Sequence, residues 1–148
     1  MRISAKGRYG LAAVISMAQQ HPMGETITVI SISEKLGISK IYLEQVFSLL
    51  KRGDIVTSIK GAQGGYMLTR APEQISVLDV LAAIETSLFE KTEETVTEKA
   101  PAIEAAMRLA AFDVLDIAMK ETLEKITISD LMNEAEKHKG GQALMFYI

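Results

Sequence analysis

The chain contains no cysteine. That absence removes disulfides, thiolate nucleophiles and cysteine-ligated zinc or iron–sulfur clusters together. Histidine is almost as scarce: His21 and His138 stand far apart with no neighbouring Asp, Ser or metal-spaced partner, so neither is placed for catalysis. Long hydrophobic runs are also missing. Stretches such as Leu11 to Ala18 break within a few residues, and no basic-then-apolar leader precedes a small-residue cleavage site. A cytoplasmic protein without membrane association is the expectation. Gly61 to Gly65 lacks the Lys-Ser/Thr tail of a phosphate-binding loop and opens no helix, which argues against a nucleotide site. The acidic residues between Thr86 and Ala100 lack the fixed loop geometry that a hard cation needs. No catalytic, metal-binding or cofactor-binding residues are therefore assigned, and the chain is not read as an enzyme.

What is present is 148 residues, 48% hydrophobic and 24% charged, close to the average of a folded protein and enough for a sizeable core. The net charge of −3 conceals an asymmetry. Up to Arg70, nine basic residues face only Glu25, Glu34, Glu44 and Asp54, a net +5, which leaves −8 for the remainder. Opposite signs in the two parts point to a basic binding module joined to an acidic partner or regulatory module.

The spacing of apolar and capping residues predicts the elements. Ser4 caps a first helix running to about Gln20, where His21-Pro22 and Gly24 stop it. Thr28 caps a second, Val29 to Leu36, with Gly37 as the left-handed residue past its end. Ser39 caps a third, Lys40 to about Arg52. Two short helices joined by Gly-Ile-Ser make the helix-turn-helix pattern. Within the third helix, Leu43, Val46, Phe47 and Leu50 follow the rhythm of a buried stripe, while Ile41, Glu44, Gln45 and Ser48 share another face. The second face suits base edges: Gln pairs with adenine, Glu accepts from cytosine, and Ile sits against a thymine methyl. Ile55 to Ile59 and Tyr66 to Thr69 then read as a hairpin around a Gly-rich turn that carries Lys60. A polar-faced helix beside such a ribbon is the layout of a winged helix-turn-helix, which takes double-stranded DNA as its partner.

Beyond Pro72, Ser76 with Asp79 marks the capped start of a fourth helix through Ile84. A polar, acidic stretch follows, and Pro101 opens a long helix to about Lys125. Ile103, Met107, Ala110, Val114 and Ile117 form one seam of it, with Leu109, Phe112, Leu115 and Met119 on neighbouring faces. A helix apolar on several sides packs against its own domain and against a second subunit. Thr127 caps a short helix to about Lys137, and Gly140-Gly141 leads to an apolar end, Ala143 to Ile148. The expected fold is mainly α with a small β-hairpin. It divides into a winged helix-turn-helix domain at 1–86, an acidic linker at 87–100, and a dimerisation helix with a C-terminal helix and tail at 101–148.

Several separated motifs resemble one family. Met1 to Tyr9, Gly37 to Gln45, the wing Lys60-Gly61 to Gly64-Gly65-Tyr66, Ile75 to Val80 and Ile126 to Leu131 are together similar to the Rrf-two family of bacterial transcription regulators. The resemblance spans almost the whole chain and implies a homodimeric repressor whose paired long helices present two winged helices to a partly palindromic operator. It places Arg2 and Lys6 near phosphates, and Ser39, Tyr42, Glu44 and Gln45 among the recognition-helix contacts. Lys60 and Gly61 would enter the minor groove. With Lys40, Ile41 and Ser48 these make up the candidate DNA-binding set. Three departures accompany the likeness. Lys60 stands where many members have Arg, Ala62-Gln63 replaces Pro-Gly at the wing tip, and the segment from Glu90 to Glu104 lacks the three cysteines of cluster-sensing members. Clusterless members are nearest in kind, and they imply an alternative in which the protein regulates by binding a metabolic enzyme such as cysteine synthase. Without cysteines, the signal falls to a small-molecule effector between the fourth and long helices, to a partner protein, or to none.

Overall fold

The computed structural model describes residues 1–20, 24–61 and 64–146. The helix stop at His21-Pro22, the wing tip Ala62-Gln63 and the terminal Tyr147-Ile148 lie outside them. Helix α1 (Ala5–Gln20) begins where the Ser4 hydroxyl accepts the Gly7 N–H at 3.0 Å. It buries Ala13, Val14, Met17 and Ala18 at the centre of the molecule. Helix α2 (Val29–Leu36) starts from Thr28, whose Oγ1 accepts the Ser31 N–H, and ends at Gly37 with φ +68°, a left-handed backbone that favours glycine. Helix α3 (Lys40–Arg52) is capped by Ser39, and its apolar stripe Leu43, Val46, Phe47 and Leu50 is buried against α1.

After α3 the chain reverses at Asp54, a non-glycine residue held at φ +60°. Thr69 Oγ1 donates to the Asp54 carbonyl at 2.7 Å and Arg70 Nη1 donates to it at 2.9 Å. Strands β1 (Val56–Ser58) and β2 (Tyr66–Leu68) pair antiparallel with Val56 opposite Leu68. The ribbon is shorter than the sequence predicts, because Ile55 still closes onto the helix end through its N–H to Leu50 O. It gains a partner in exchange. Ile27 and Tyr66 exchange two backbone hydrogen bonds of 2.8 Å, and the Tyr66 ring rests on Phe47 with centroids 4.8 Å apart. The root of the wing is thus anchored to α3.

Helix α4 (Val77–Ile84) has a complete capping box between Ser76 and Asp79. Arg70 completes it, with Nη2 donating to Asp79 Oδ2 at 3.0 Å and Nε donating to the Gln74 carbonyl. Burial on its own would raise the Asp79 pKa, but the Ser76 N–H, the Arg70 guanidinium and the Ser76 hydroxyl together hold it below its ordinary value of 3.8. A depressed carboxylate stabilises the fold above that value, and its contribution disappears as pH falls through the folded pKa. Asp79→Ala is accordingly expected to cost about 1 to 2 kcal/mol at neutral pH. In urea unfolding, the gap from the parent protein should narrow as pH drops below 4. A gap independent of pH would remove the carboxylate from the account.

The long helix runs as α5 (Pro101–Met107), a π turn over Arg108–Phe112, and α6 (Asp113–Lys125). The π turn departs from the unbroken helix expected here, and it resolves the scattered apolar residues seen in the sequence. An unbroken helix with Glu104 inward would bring Leu115 back to the same side; the extra residue in the π turn hands that side to Phe112, Met119 and Leu123. Leu115 is left 65% exposed. Val77, Leu81 and Leu123 form a second apolar cluster, joined by Ile3, Leu88, Phe89 and Met119. These side chains pack in the space between α4 and the long helix. The stretch before α5 is mostly exposed but tied down: Glu104, 6% exposed, accepts the Thr95 and Val96 N–H groups, and Arg108 donates to the Thr92 carbonyl.

Helix α7 (Ile128–Phe146) is longer than the predicted stop near Lys137, running on through Gly140-Gly141. Glycine lowers helix propensity by about 1 kcal/mol but does not forbid a helix. Thr127 and Asp130 repeat the capping box of α4, and the starts of α4 and α7 meet as a bridge: Val77 N donates to Ile126 O and Ile128 N to Ile75 O, both at 2.8 Å. Among the described residues no helix is long and apolar enough to cross a membrane.

Candidate nucleic-acid interface

The α2–turn–α3 unit is held together by local hydrogen bonds. Gly37 donates its N–H to Ser33 O at 2.9 Å, the Ser33 hydroxyl donates to the Ile38 carbonyl, and Ser39 Oγ accepts the Tyr42 N–H at 3.2 Å. With the inner stripe of α3 fully packed, the other face of the helix turns outward. Ile41 is 72% exposed, and Glu44, Gln45 and Ser48 are exposed beside it. A large apolar side chain held so far into solvent, flanked by amide, carboxylate and hydroxyl groups, has no packing role inside the subunit.

Two concavities border this face. In the first, Lys6 of α1 joins Ile41, Glu44, Gln45, Ser48 and Leu49. In the second, Lys40 and Glu44 line a hollow with Thr28, Val29 and Ile30 of α2 and with Gly65 and Tyr66 at the root of the wing. Lys40 Nζ lies 3.7 Å from Glu44 Oε1, an exposed one-turn ion pair that is weak and easily exchanged for another partner. Tyr42 is half-buried and stacks edge-on against Tyr9 at 5.2 Å, which directs its body into the subunit.

The candidate residues are thus gathered unequally. Lys6, Lys40, Ile41, Glu44, Gln45 and Ser48 line the two hollows. Ser39 is exposed at the start of α3 but has its oxygen engaged in capping, and Arg2 is exposed at the N-terminus, two residues before the first helix cap. Lys60 and Gly61 are exposed on the wing, where Ile59 N donates to Gly65 O at 2.9 Å and Gly64 N to Gly61 O at 3.2 Å. The basic surplus of the N-terminal part is smaller on this face than its count implies. Arg70 is committed to Asp54, Gln74 and Asp79, and Lys35 leans elsewhere, its pKa lowered by burial and by the like charge of Lys139 on α7. Sequence reasoning missed Ile30, an exposed apolar residue at the start of α2 whose position beside the wing appears only in the fold.

A helix-turn-helix with an open, uncommitted second helix, braced by a two-stranded wing, defines a DNA-binding regulator of the winged type. The chain belongs to the Rrf2 family of transcriptional regulators, whose profile, described as iron-dependent transcriptional regulator, matches residues 3–134. Over its whole length it is 36% identical to the HTH-type transcriptional regulator CymR of Bacillus subtilis, the full length of which is covered. It is 33% identical over 136 residues to the regulator IscR of Sodalis glossinidius, which spans 92% of this chain and 81% of the relative. Solved structures agree. The global cysteine regulator CymR of B. subtilis superposes with a TM-score of 0.71 at 32% identity, covering 90% of this chain and 98% of its own. The T. potens IscR structure gives 0.69 at 33% identity over 93% and 90%.

The family description mentions iron, and the donor set here does not fit an iron–sulfur cluster. The sequence has no thiol, and among the described residues no three His, Cys, Asp or Glu side chains gather as a metal site. The buried carboxylate of α5, Glu104, is already taken by the backbone N–H groups of Thr95 and Val96.

Proposed function

We propose that the chain acts in the cytoplasm as a homodimeric repressor, each copy laying α3 in the major groove of its operator and the wing along the adjacent minor groove. Residues 1–86 form the DNA-binding domain, 87–100 the connection, and 101–148 the dimerisation part. Gln45 reads adenine, Glu44 reads cytosine when it leaves Lys40, and Ile41 contacts a thymine methyl, with Ser48 beside them. Arg2, Lys6, Ser39, Lys40 and Tyr42 hold phosphates; Lys60 and Gly61 take the minor groove, where A·T-rich tracts favour a cation. Iron has no part in this reading.

The observation that carries it is the outward face of α3, where Ile41 is exposed beside Gln45 and Lys6 in one concavity. The alternative, regulation through a bound metabolic enzyme, leaves that face without a task. A salt titration separates the two, since phosphate neutralisation makes DNA affinity fall steeply with salt whereas an apolar protein contact responds little.

Fragments captured from native cells give the operator, and Gln45→Ala then tests the reading. The substitution is expected to cost about 1 to 3 kcal/mol on the preferred site and little on random DNA. Equal losses on both would contradict base reading by Gln45.

A further inference from the structure

The first turn of α1 is clasped by a residue from the far end of the DNA-binding body. Glu85, which ends α4, turns Oε1 onto Ser4 and accepts both its backbone N–H and its hydroxyl at 2.9 Å. Ser4 Oγ in turn accepts the Gly7 N–H. Glycines make the approach possible. A Cβ on Gly7 would collide with the Glu85 carboxylate, one on Gly10 with the Ile84 side chain, and one on Gly53 with Ala83. The last turn of α4 is wedged between α1 and α3 at these three positions. On the other flank of Ser4, Ile3 packs on the second cluster with Leu88, Phe89 and Met119.

Arg2 and Lys6 bracket this clasp in sequence, and Lys6 lines the hollow beside Ile41 and Gln45. From this geometry we infer that Glu85 is a positioning residue for DNA binding. Its carboxylate oxygen sets the first turn of α1 so that Arg2 and Lys6 meet phosphates, and it ties their placement to the segment leading into the long helix. The inference rests on the reading of Arg2 and Lys6 as phosphate contacts. Charge and hydrogen bonding act here in opposite directions. As a bare negative charge beside a polyanion, Glu85 would oppose binding, and losing it would tighten the complex. As an acceptor it holds the arm, and its loss would weaken the complex.

Glu85→Gln and Glu85→Ala both remove the charge, but glutamine keeps an Oε1 able to accept the two Ser4 donors. Binding of the full-length variants to an operator fragment and to random DNA is measured by fluorescence anisotropy across a salt series. Glu85→Gln should bind at least as tightly as the parent. Glu85→Ala should bind about tenfold more weakly to both DNAs, its log K against log salt slope shallower by about 0.9 for each phosphate that is no longer neutralised. In an Arg2→Ala, Lys6→Ala background it should cost nothing more. Equal changes in the two Glu85 variants, or an undiminished cost in that background, would overturn the inference. If Glu85→Ala fails to fold, Glu85→Ser, whose side chain is too short to reach Ser4, takes its place, and its affinity must fall in the same direction. Parent protein that binds no DNA would sink the operator reading itself, whereas binding weakened by Arg2→Ala and Lys6→Ala but not by Glu85→Ala would sink the positioning role alone.

Discussion

Val114→Asp is expected to leave a folded monomer whose affinity for a two-half-site operator has fallen by about two orders of magnitude or more. Val114 is 55% exposed on the outward side of α6, with Leu109, Leu115 and Ile117 exposed around it, so an aspartate there disturbs no packing within the subunit. In a twofold pair the same patch meets itself, and two new carboxylates would be brought together inside an apolar contact. Each wing domain would still hold a half-site, but binding the second would no longer be an intramolecular event, and that linkage supplies most of the affinity difference. Sedimentation velocity reports the mass, far-UV circular dichroism the helix content, and titration of full and half operators the linkage. A variant that stays dimeric, or a monomer that binds the full operator as tightly as the parent, would remove the long helix from the interface.

The second large effect is expected at Gly65. Its φ of +144° lies where side chains are strongly disfavoured, and an added Cβ would stand 2.7 Å from the Ile27 carbonyl oxygen and 2.5 Å from Thr26 Cγ2. The Thr26 methyl can rotate away, but the Ile27 carbonyl is backbone held in the pairing with Tyr66 and cannot. Gly65→Ala should therefore cost about 2 to 4 kcal/mol, from strain together with the loss of the paired Ile27 and Tyr66 hydrogen bonds. Because Tyr66 also carries the Phe47 contact, the wing should loosen from α3. Denaturant unfolding gives the stability change, and hydrogen exchange should show faster opening at Ile27 and Tyr66 than at Val46. A stable variant with both amides still protected would contradict this account of the wing.

Much of the reading unit is legible in the sequence because its determinants are local. Caps act over three residues, so Thr28, Ser39, Ser76 and Thr127 announce their helices, and Gly37 announces its turn. The division of α3 into an inner stripe and an outer face follows from a single period. What is not legible depends on partners distant in the chain. Glu85 and Ser4 are 81 positions apart, and nothing near either residue signals the other. Arg70 counts as a basic residue until Asp79 and two carbonyls are seen to hold it. Glu104 reads as one more acid beside an acidic stretch, although it is buried as an acceptor for Thr95 and Val96. The apolar seam expected along the long helix assumes a constant period, and the π turn changes its phase midway.

The bridge between Ser76 and Thr127 has a consequence for operator geometry. The chain leaves the reading head after α4, traverses the long helix, and is stitched back to that head where α4 begins, so the polypeptide describes a closed circuit. The far end of the long helix is thereby fastened to the head instead of swinging as a hinged lever. In a twofold pair joined through that helix, as proposed, the two heads would keep one separation and one phase. An extra base pair between half-sites, which rotates one of them by about 34° around the duplex, would find no swinging arm able to follow it.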